Sequence, residues 1–465
     1  ITSASGFLSV GTGTGSTASI VNYNSDATSS FSGIALGNAA NGTVYQTAGQ
    51  INIATDVRLN TGLGKAGTYS LSGGTLAVTG NVNVGERGAV GTFVLSDSGN
   101  LSVTGALGIV SNTALNGTGN TTMGTFTQSG TSTVTVGSLL LTNTNNTDQA
   151  YTNTAVYNLN GGTLATASIG SNNIGTLSGG ANNSIFNFAG GTLQASASTT
   201  TFMEGLTTAN VKDGGVTIDT NGFDITIAQA LLHFSGATTD GLTKSGNGTL
   251  TLSGANTYTG DTVVTRGTLS LGNGTTSTTL ADTAGVVIGT DATAVLNLDY
   301  TGTDTVASLT INGVVKIAGV YGSSDPSGRI TGAGTLTVGA GPVGGFASWI
   351  TGTFANGSVA IDKRGANDDP DNDGISNLVE YAVLGEDPTV ANAAVGSFSG
   401  STKTLSFSKR LDATGITYTI EESTDLGIAD AWAPVTPTEN TASTISYTLP
   451  GGPAKDFLRL KVTQP

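Results

Sequence analysis

A phrase of the form aromatic-x-x-x-Gly recurs along the first half of the chain, and it restricts the fold more than any other feature. It reads Tyr45-Gln-Thr-Ala-Gly49, Tyr69-Ser-Leu-Ser-Gly73, Tyr157-Asn-Leu-Asn-Gly161 and Phe186-Asn-Phe-Ala-Gly190, the last three followed by Gly-Thr-Leu. Phe93-Val-Leu95 and Phe126-Thr-Gln-Ser-Gly130 are looser copies. The aromatics lie about 24 to 33 residues apart, a period typical of stacked β units. Each copy ends one short strand, turns at glycine and opens another strand. Gly-Gly or Asn-Gly supplies the positive φ of the turn. One such unit cannot bury its apolar face alone. Stacking units about 4.8 Å apart pairs every backbone group and builds a continuous narrow core. The expected fold is therefore all-β, a β-solenoid with Leu, Val and Ile inward and Thr and Ser outward. At about 25 residues per turn, residues 1–345 supply about a dozen turns, a rod roughly 60 Å long. An array of β-sandwiches with glycine-rich turns is the alternative, but it accounts less well for the even repetition.

Composition decides between order and disorder. Of 465 residues, 70 are Gly, none is Cys and only 10% are charged. Alternating runs such as Thr249-Leu250-Thr251-Leu252 and Leu336-Thr337-Val338 read as half-buried strands, not as disordered chain. Scarce charge suits stacking, because like charges on neighbouring strands repel. A net charge of −15 argues against nucleic acid as a partner. No apolar run approaches the roughly 20 residues of a membrane-spanning helix, so no integral membrane segment is expected. No signal peptide opens at Ile1, and the numbering is taken to begin at a mature terminus after export. The lack of Cys is compatible with export and means that disulfides are not the stabilising device.

Residues 242–272 carry a more specific pattern, with the core Leu252-Ser-Gly-Ala-Asn256-Thr-Tyr258-Thr-Gly260 followed by Gly267-Thr-Leu269. This stretch resembles the autotransporter-associated β-strand repeat. The earlier Val84-Gly85 and Gly91-Thr-Phe93-Val-Leu95 resemble a related, looser repeat. The resemblance implies a right-handed parallel β-helix on the outside of a Gram-negative bacterium. It also implies structural roles for Asn256, as a turn residue, and Tyr258, as a stacker between turns. No barrel of roughly 10-residue alternating strands is read after Gly345. The resemblance therefore speaks to fold and compartment, not to a secretion route.

Composition shifts near Gly341–Gly345, giving three expected regions: 1–208 with loose repeats, 209–345 with the specific motif, and 346–465. Both Trp residues, Trp349 and Trp432, fall in the last. One short helix is expected from Ile375 to Leu384. Alternation in Thr404–Phe407, Thr417–Ile420, Ile445–Leu449 and Phe457–Val462 predicts a small antiparallel β-sandwich. This layout also resembles the end domains attached to many such repeat proteins.

One motif carries chemistry. Asp369, Asp371, Asp373, Asn377 and Glu380 occupy positions 1, 3, 5, 9 and 12 of a loop, with Gly374 at the sharp turn and the carbonyl of Ile375 at position 7. That is the pattern of a Ca²⁺ loop. Carboxylates this close repel unless a hard cation binds. The loop resembles the thrombospondin-type-3 and dockerin calcium loops of exported proteins, with Ser376 departing from the usual apolar position 8. A solvated acidic turn at a helix start is the plainer reading. The role assigned to the cation is a structural clip between rod and sandwich.

Catalysis finds little support. Glu86-Arg87 reads as a turn, and Asp56 and Arg58 as a surface pair of small energetic weight. Asp213, Asp219 and Asp224, beside Lys212, read as solvent-facing turns, and His233 as a lone satisfied histidine. Asn-Gly pairs such as those at Asn41, Asn116, Asn221, Asn247, Asn273 and Asn312 read as turns. The expected function is non-enzymatic: an extracellular structural protein. Ile1–Val10 offers no amphipathic cap, so head-to-tail homopolymerisation into filaments is expected from unprotected strand edges. An adhesin binding extracellular glycans is the alternative, and a polysaccharide lyase or hydrolase a third.

Overall fold

The computed structural model describes residues 6–13, 18–59, 62–86, 88–112, 121–145, 152–174, 181–272, 280–316, 319–338, 346, 349–350, 363–384, 389–392, 395–410, 413, 415–450 and 456–464. The all-β chain forms two compact units. The first comprises residues 1–284, 291–304 and 322–335, and the second residues 285–290, 305–321 and 336–465.

Three long parallel ladders build the first unit. One runs from Ser19–Tyr23 through Gly42–Gln46, Ala66–Leu71, Val90–Leu95, Thr121–Gln128, Thr152–Leu159, Ala181–Phe188 and Thr208–Val211 to Leu231–His233. A second begins with Thr28–Phe31, Gln50–Ile53 and Thr75–Val78. A third begins with Leu8–Val10, Ile34–Leu36, Val57–Leu59 and Val82–Gly85 and reaches Ile330–Gly332. The chain visits the ladders in turn and then steps to the next layer. Two strands of 13 residues, Asn100–Asn112 and Thr133–Asn145, serve the second ladder with one half and the third with the other. Their mutual register slips between Val103 and Ala106, and such a bulge bends a strand. Parallel sheets of this length are consistent with a β-helix. A sandwich array, built from antiparallel strands, does not fit them. The ladders run across residue 208 without interruption, since Thr208–Val211 pairs with Ala181–Phe188.

Alternation fixes the core. In Ala66–Leu71 the residues Gly67, Tyr69 and Leu71 are buried, while Thr68 and Ser70 are partly open to solvent. The recurring aromatics fall in register: Tyr69, Phe93, Phe126, Tyr157 and Phe186 are neighbours along one row. Their rings stack at centroid distances of 5.2, 4.7, 4.9 and 5.1 Å, with interplanar angles of 12° or less. Each such contact contributes roughly 0.5–1.5 kcal/mol beyond the area it buries. The two buried tyrosine hydroxyls are met alike. Tyr69 donates to Gln46 Oε1 and Tyr157 to Gln128 Oε1, both at 2.7 Å. Each glutamine amide in turn donates to backbone carbonyls, Gln46 to Gly49 and Thr75, Gln128 to Ser132 and Thr163. Burial raises the pKa of both phenols.

The first copy of the phrase differs. Tyr45 pairs with Ser70, whereas Val44 pairs with Tyr69. Tyr45 therefore faces outward, 42% exposed, and Val44 fills the core. A slip of one residue exchanges the two faces of a strand. On the outside of the same ladder an amide row forms, in which Asn187 donates to Asn158 at 2.8 Å and Asn210 donates to Asn187 at 2.9 Å.

In the second unit, Gly285–Ile288 pairs in parallel with Ser308–Ile311. Asn312 (φ 54°) and Gly313 (φ 84°) then reverse the chain, and Val314–Val315 returns antiparallel. Two positive-φ residues in succession are the signature of a tight hairpin turn. Further on lie two antiparallel sheets. Ser397–Ser399, Thr404–Ser408, Thr444–Thr448 and Glu439–Asn440 form one, and Ala433–Pro434, Thr417–Ser423 and Phe457–Thr463 form the other. Phe407 and Ile445 of the first meet Ile420 of the second in a common core, as expected for a small sandwich. A separate cluster of Phe346, Trp349, Ile350, Leu378 and Tyr381 anchors the helical segment. That helix starts later than Ile375. It runs as an α-turn over Asn377–Val379 and a π-turn over Glu380–Leu384. The Ile375 N–H donates to the Asp373 carboxylate at 2.7 Å, which keeps Ile375 in the preceding loop, and the Asn377 N–H at the helix start donates to the Asp368 carbonyl.

Candidate functional site

Three carboxylates of the acidic loop come together. Asp369, Asp371 and Asp373 each offer a carboxylate oxygen, and these oxygens lie within 4.8 Å of one another. Backbone donors curl the loop around them. The Asp373 N–H bonds Asp369 and Asp371, both at 3.2 Å, and the Gly374 N–H bonds Asp369 at 2.9 Å. Gly374 has φ +90°, a conformation that permits this reversal and that side chains disfavour. Glu380 is fully buried, and burial, with Asp371 and Asp373 nearby, pushes its carboxyl up to about 8. Burial also raises Asp371, with Asp373 and Asp369 adding to the effect. Asp369 is instead lowered; burial opposes this, but N–H donors led by Gly374 outweigh it.

Asn377 is buried, and its amide donates to the carbonyls of Lys363 (3.2 Å) and Gly365 (2.8 Å). Those bonds fix which amide atom is the oxygen. Three buried oxygens meet no donor among the described residues: Asp371 Oδ2, Asn377 Oδ1 and Glu380 Oε2. An orphaned buried oxygen costs about 1–3 kcal/mol, more when charged. These three come from positions 3, 9 and 12 of the loop, and an all-oxygen donor set suits a hard cation. Ile375 places its side chain in the core. The residue that spacing missed is Asn392. Its N–H bonds Asp373 at 2.6 Å and its side-chain amide bonds Glu380 at 3.1 Å.

Elsewhere the weighed ionisable groups are separately engaged. Arg58 pairs with Glu86 at 2.5 Å, while Asp56 accepts the Asn81 N–H; Arg87 lies outside the described residues. Asp213 accepts the N–H groups of Thr238 and Thr239, Asp219 the amide of Gln194, and Asp224 the Thr249 N–H. Lys212 lies over the Phe234 ring at 4.2 Å. These four groups therefore do not converge on one another. His233 is not alone: its Nδ1 lies 2.7 Å from the buried carboxylate of Asp240, which also accepts the Thr259 hydroxyl. The Thr259 hydroxyl donates to the carboxylate at 2.8 Å and lies 3.5 Å from His233 Nδ1.

Residues 242–271 form consecutive layers of the ladders. Leu242–Ser245 pairs with Thr262–Val264, and Thr249–Leu252 with Thr268–Leu271. Asn256 accepts the Leu231 N–H of the preceding layer at 2.9 Å, which makes it a link between layers. Tyr258 is buried and shares a 2.8 Å hydrogen bond with Thr262, closing its own corner. Lys244 points inward, and its ammonium donates to the carbonyls of Ser245, Gly246 and Arg266 at 2.9, 2.7 and 2.9 Å. Burial lowers it to about 8, against the attraction of Asp219 and Asp224. This stretch matches the passenger-associated-transport-repeat family. The matched transport repeat covers residues 242–271. It suggests an extracellular, passenger-like protein of a Gram-negative bacterium. No curated protein and no solved structure matches the chain. Among the described residues, no helix is long and apolar enough to cross a membrane.

Proposed function

We propose that the chain is a non-catalytic extracellular rod, a right-handed β-helix that assembles with its own copies at a bacterial surface or in a matrix. The observation carrying this reading is the transport repeat, set within long parallel ladders where Asp213, Asp219 and Asp224 each accept a separate neutral donor. The assembly part rests on the strands at low residue number. Phe7 and Ile20 there are 52% and 62% exposed. Strand edges of parallel ladders pair readily with further strands. Head-to-tail contact of this kind is heterologous and extends into filaments when it does not close. Negative-stain microscopy of concentrated protein should show filaments, and Ile20→Lys should shorten or abolish them while leaving the melting curve unchanged. Monodisperse single particles for the unaltered chain sink the assembly reading.

The acidic loop is the cation site of this reading, with Ca²⁺ held by Asp369, Asp371, Asp373, Asn377 and Glu380 and the Ile375 carbonyl as the expected sixth donor. The orphaned oxygens support it. When bound, the ion supplies charge compensation and cross-linking of the loop, and no chemistry. Titration calorimetry should detect binding in the millimolar to micromolar range typical of extracellular modules.

A second reading, glycan adhesion, draws on a groove of about 490 Å³ over the first layers. Ser30, Ser32, Asn52, Thr79, Ser102 and Thr104 line it, and among the described residues no charged one does. Such a lining suits an uncharged sugar chain. Binding of neutral polysaccharide that is lost in Ser102→Arg would favour this reading over assembly.

A further inference from the structure

We propose that Asn392, outside the acidic loop, is a positioning residue that closes the cation site by bridging Asp373 and Glu380. The inference rests on the reading of that loop as a cation site. Asp373 precedes the Gly374 turn, and Glu380 opens the π-turn. Asn392 lies 12 residues beyond Glu380 and joins these two distant parts of the loop. Its backbone N–H bonds Asp373 Oδ2 at 2.6 Å, and its side-chain amide bonds Glu380 Oε1 at 3.1 Å.

The division of oxygens gives the bridge its meaning. Asp373 has both oxygens engaged, Oδ2 by Asn392 and Oδ1 by the Ile375 N–H. Glu380 has one oxygen held by Asn392 and the other, Oε2, buried without a donor. A carboxylate pinned through one oxygen cannot rotate freely, so Asn392 decides which Glu380 oxygen is left for a ligand. The Asn392 amide is also the only donor the structure gives to that buried carboxylate among the described residues. Partners that orient a metal ligand in this way typically change affinity 10–100-fold when removed.

The consequence is that the affinity is set partly by the segment that follows the helix and not by the 12-residue loop alone. Asn392→Ala removes the bond to Glu380 and keeps the backbone bond to Asp373. Asn392→Leu does the same at nearly constant side-chain volume and serves if the alanine variant fails to fold. With the full chain and Ca²⁺ alone as titrant, either variant should bind about 10–100-fold more weakly. The melting temperature in EDTA should fall by the cost of one more buried carboxylate oxygen left without a donor, and the upward shift on adding Ca²⁺ should shrink as well. A variant whose affinity is unchanged, or whose melting temperature falls equally with and without Ca²⁺, overturns the positioning role alone. If the unaltered chain itself gives no heat with Ca²⁺, the cation reading falls and takes this inference with it.

Discussion

At the scale of single residues, Lys244 shows what the interior tolerates. Its three ammonium protons meet three carbonyls, so the charge is buried but its hydrogen bonds are complete. Lys244→Met would leave those carbonyls without donors and should cost about 2–4 kcal/mol in chemical denaturation. The folded group titrates at about 8, below its value near 10.4 in the unfolded chain. Between these limits the unfolded chain binds more protons, so stability should rise as pH increases from about 8 toward 10. The rise should vanish in Lys244→Met. Above about pH 10 the trend should reverse. Buried Tyr69 and Tyr157 stay protonated in the folded state while their unfolded counterparts ionise. Denaturation midpoints measured across this range check both signs. The inward side of Lys244 was implicit in the parity of Leu242 and Lys244, but its three acceptors come from a corner and a neighbouring layer that parity does not describe. The grouping of Asp369, Asp371 and Asp373 was legible because their spacing is local. Asn392 was not, since its contacts are tertiary and nothing in its neighbourhood marks it.

At the scale of elements, the aromatic row carries the repeat. Phe126 is stacked between Phe93 and Tyr157 and fully buried. Phe126→Ala should destabilise the first unit by about 3–5 kcal/mol, while Tyr45→Ala, on the outer face, should cost under about 1 kcal/mol. Paired melting curves of the two variants test the register directly. The phrase itself was visible in sequence for Tyr69, Phe93, Phe126, Tyr157 and Phe186. It misled at Tyr45 because Gly49 aligns with Gly73 in the phrase but with Gly74 in the corner, where the Thr75 N–H bonds the Gly49 carbonyl. The two 13-residue strands were illegible for a related reason. A bulge lets one strand bend from the second ladder to the third, with the single Gly105 in place of a longer turn. The helical segment lies where the sequence placed it, but its first two expected residues, Ile375 and Ser376, precede the helix, and its second part is a π-turn.

At the scale of the whole molecule, the two units differ in what stabilises them. The first relies on stacked apolar rows with few charges, whereas the second contains the acidic loop and its orphaned oxygens. Calorimetry in EDTA against excess Ca²⁺ should move the transition of the second unit upward by several degrees and leave that of the first in place. Ligand linkage sets the size of the shift through concentration relative to Kd. Movement of the first transition alone would contradict the assignment of the site. The layered all-β architecture followed from repeat period, alternation and glycine placement. The arrangement of residues 285–338 did not. There parallel layers give way to antiparallel returns such as the Asn312–Gly313 hairpin, and these depend on one turn and not on a period.

The aromatic row also has an evolutionary side. From Tyr69 onward its members are separated by 24, 33, 31 and 29 residues, yet they remain face to face. Lengthening a connection between layers costs only about 0.6 kcal/mol per doubling. Selection can therefore vary what a layer displays at its corners without disturbing what the layer is built on. Duplicating or deleting one whole period would change the reach of the molecule and keep every remaining ring in contact with another.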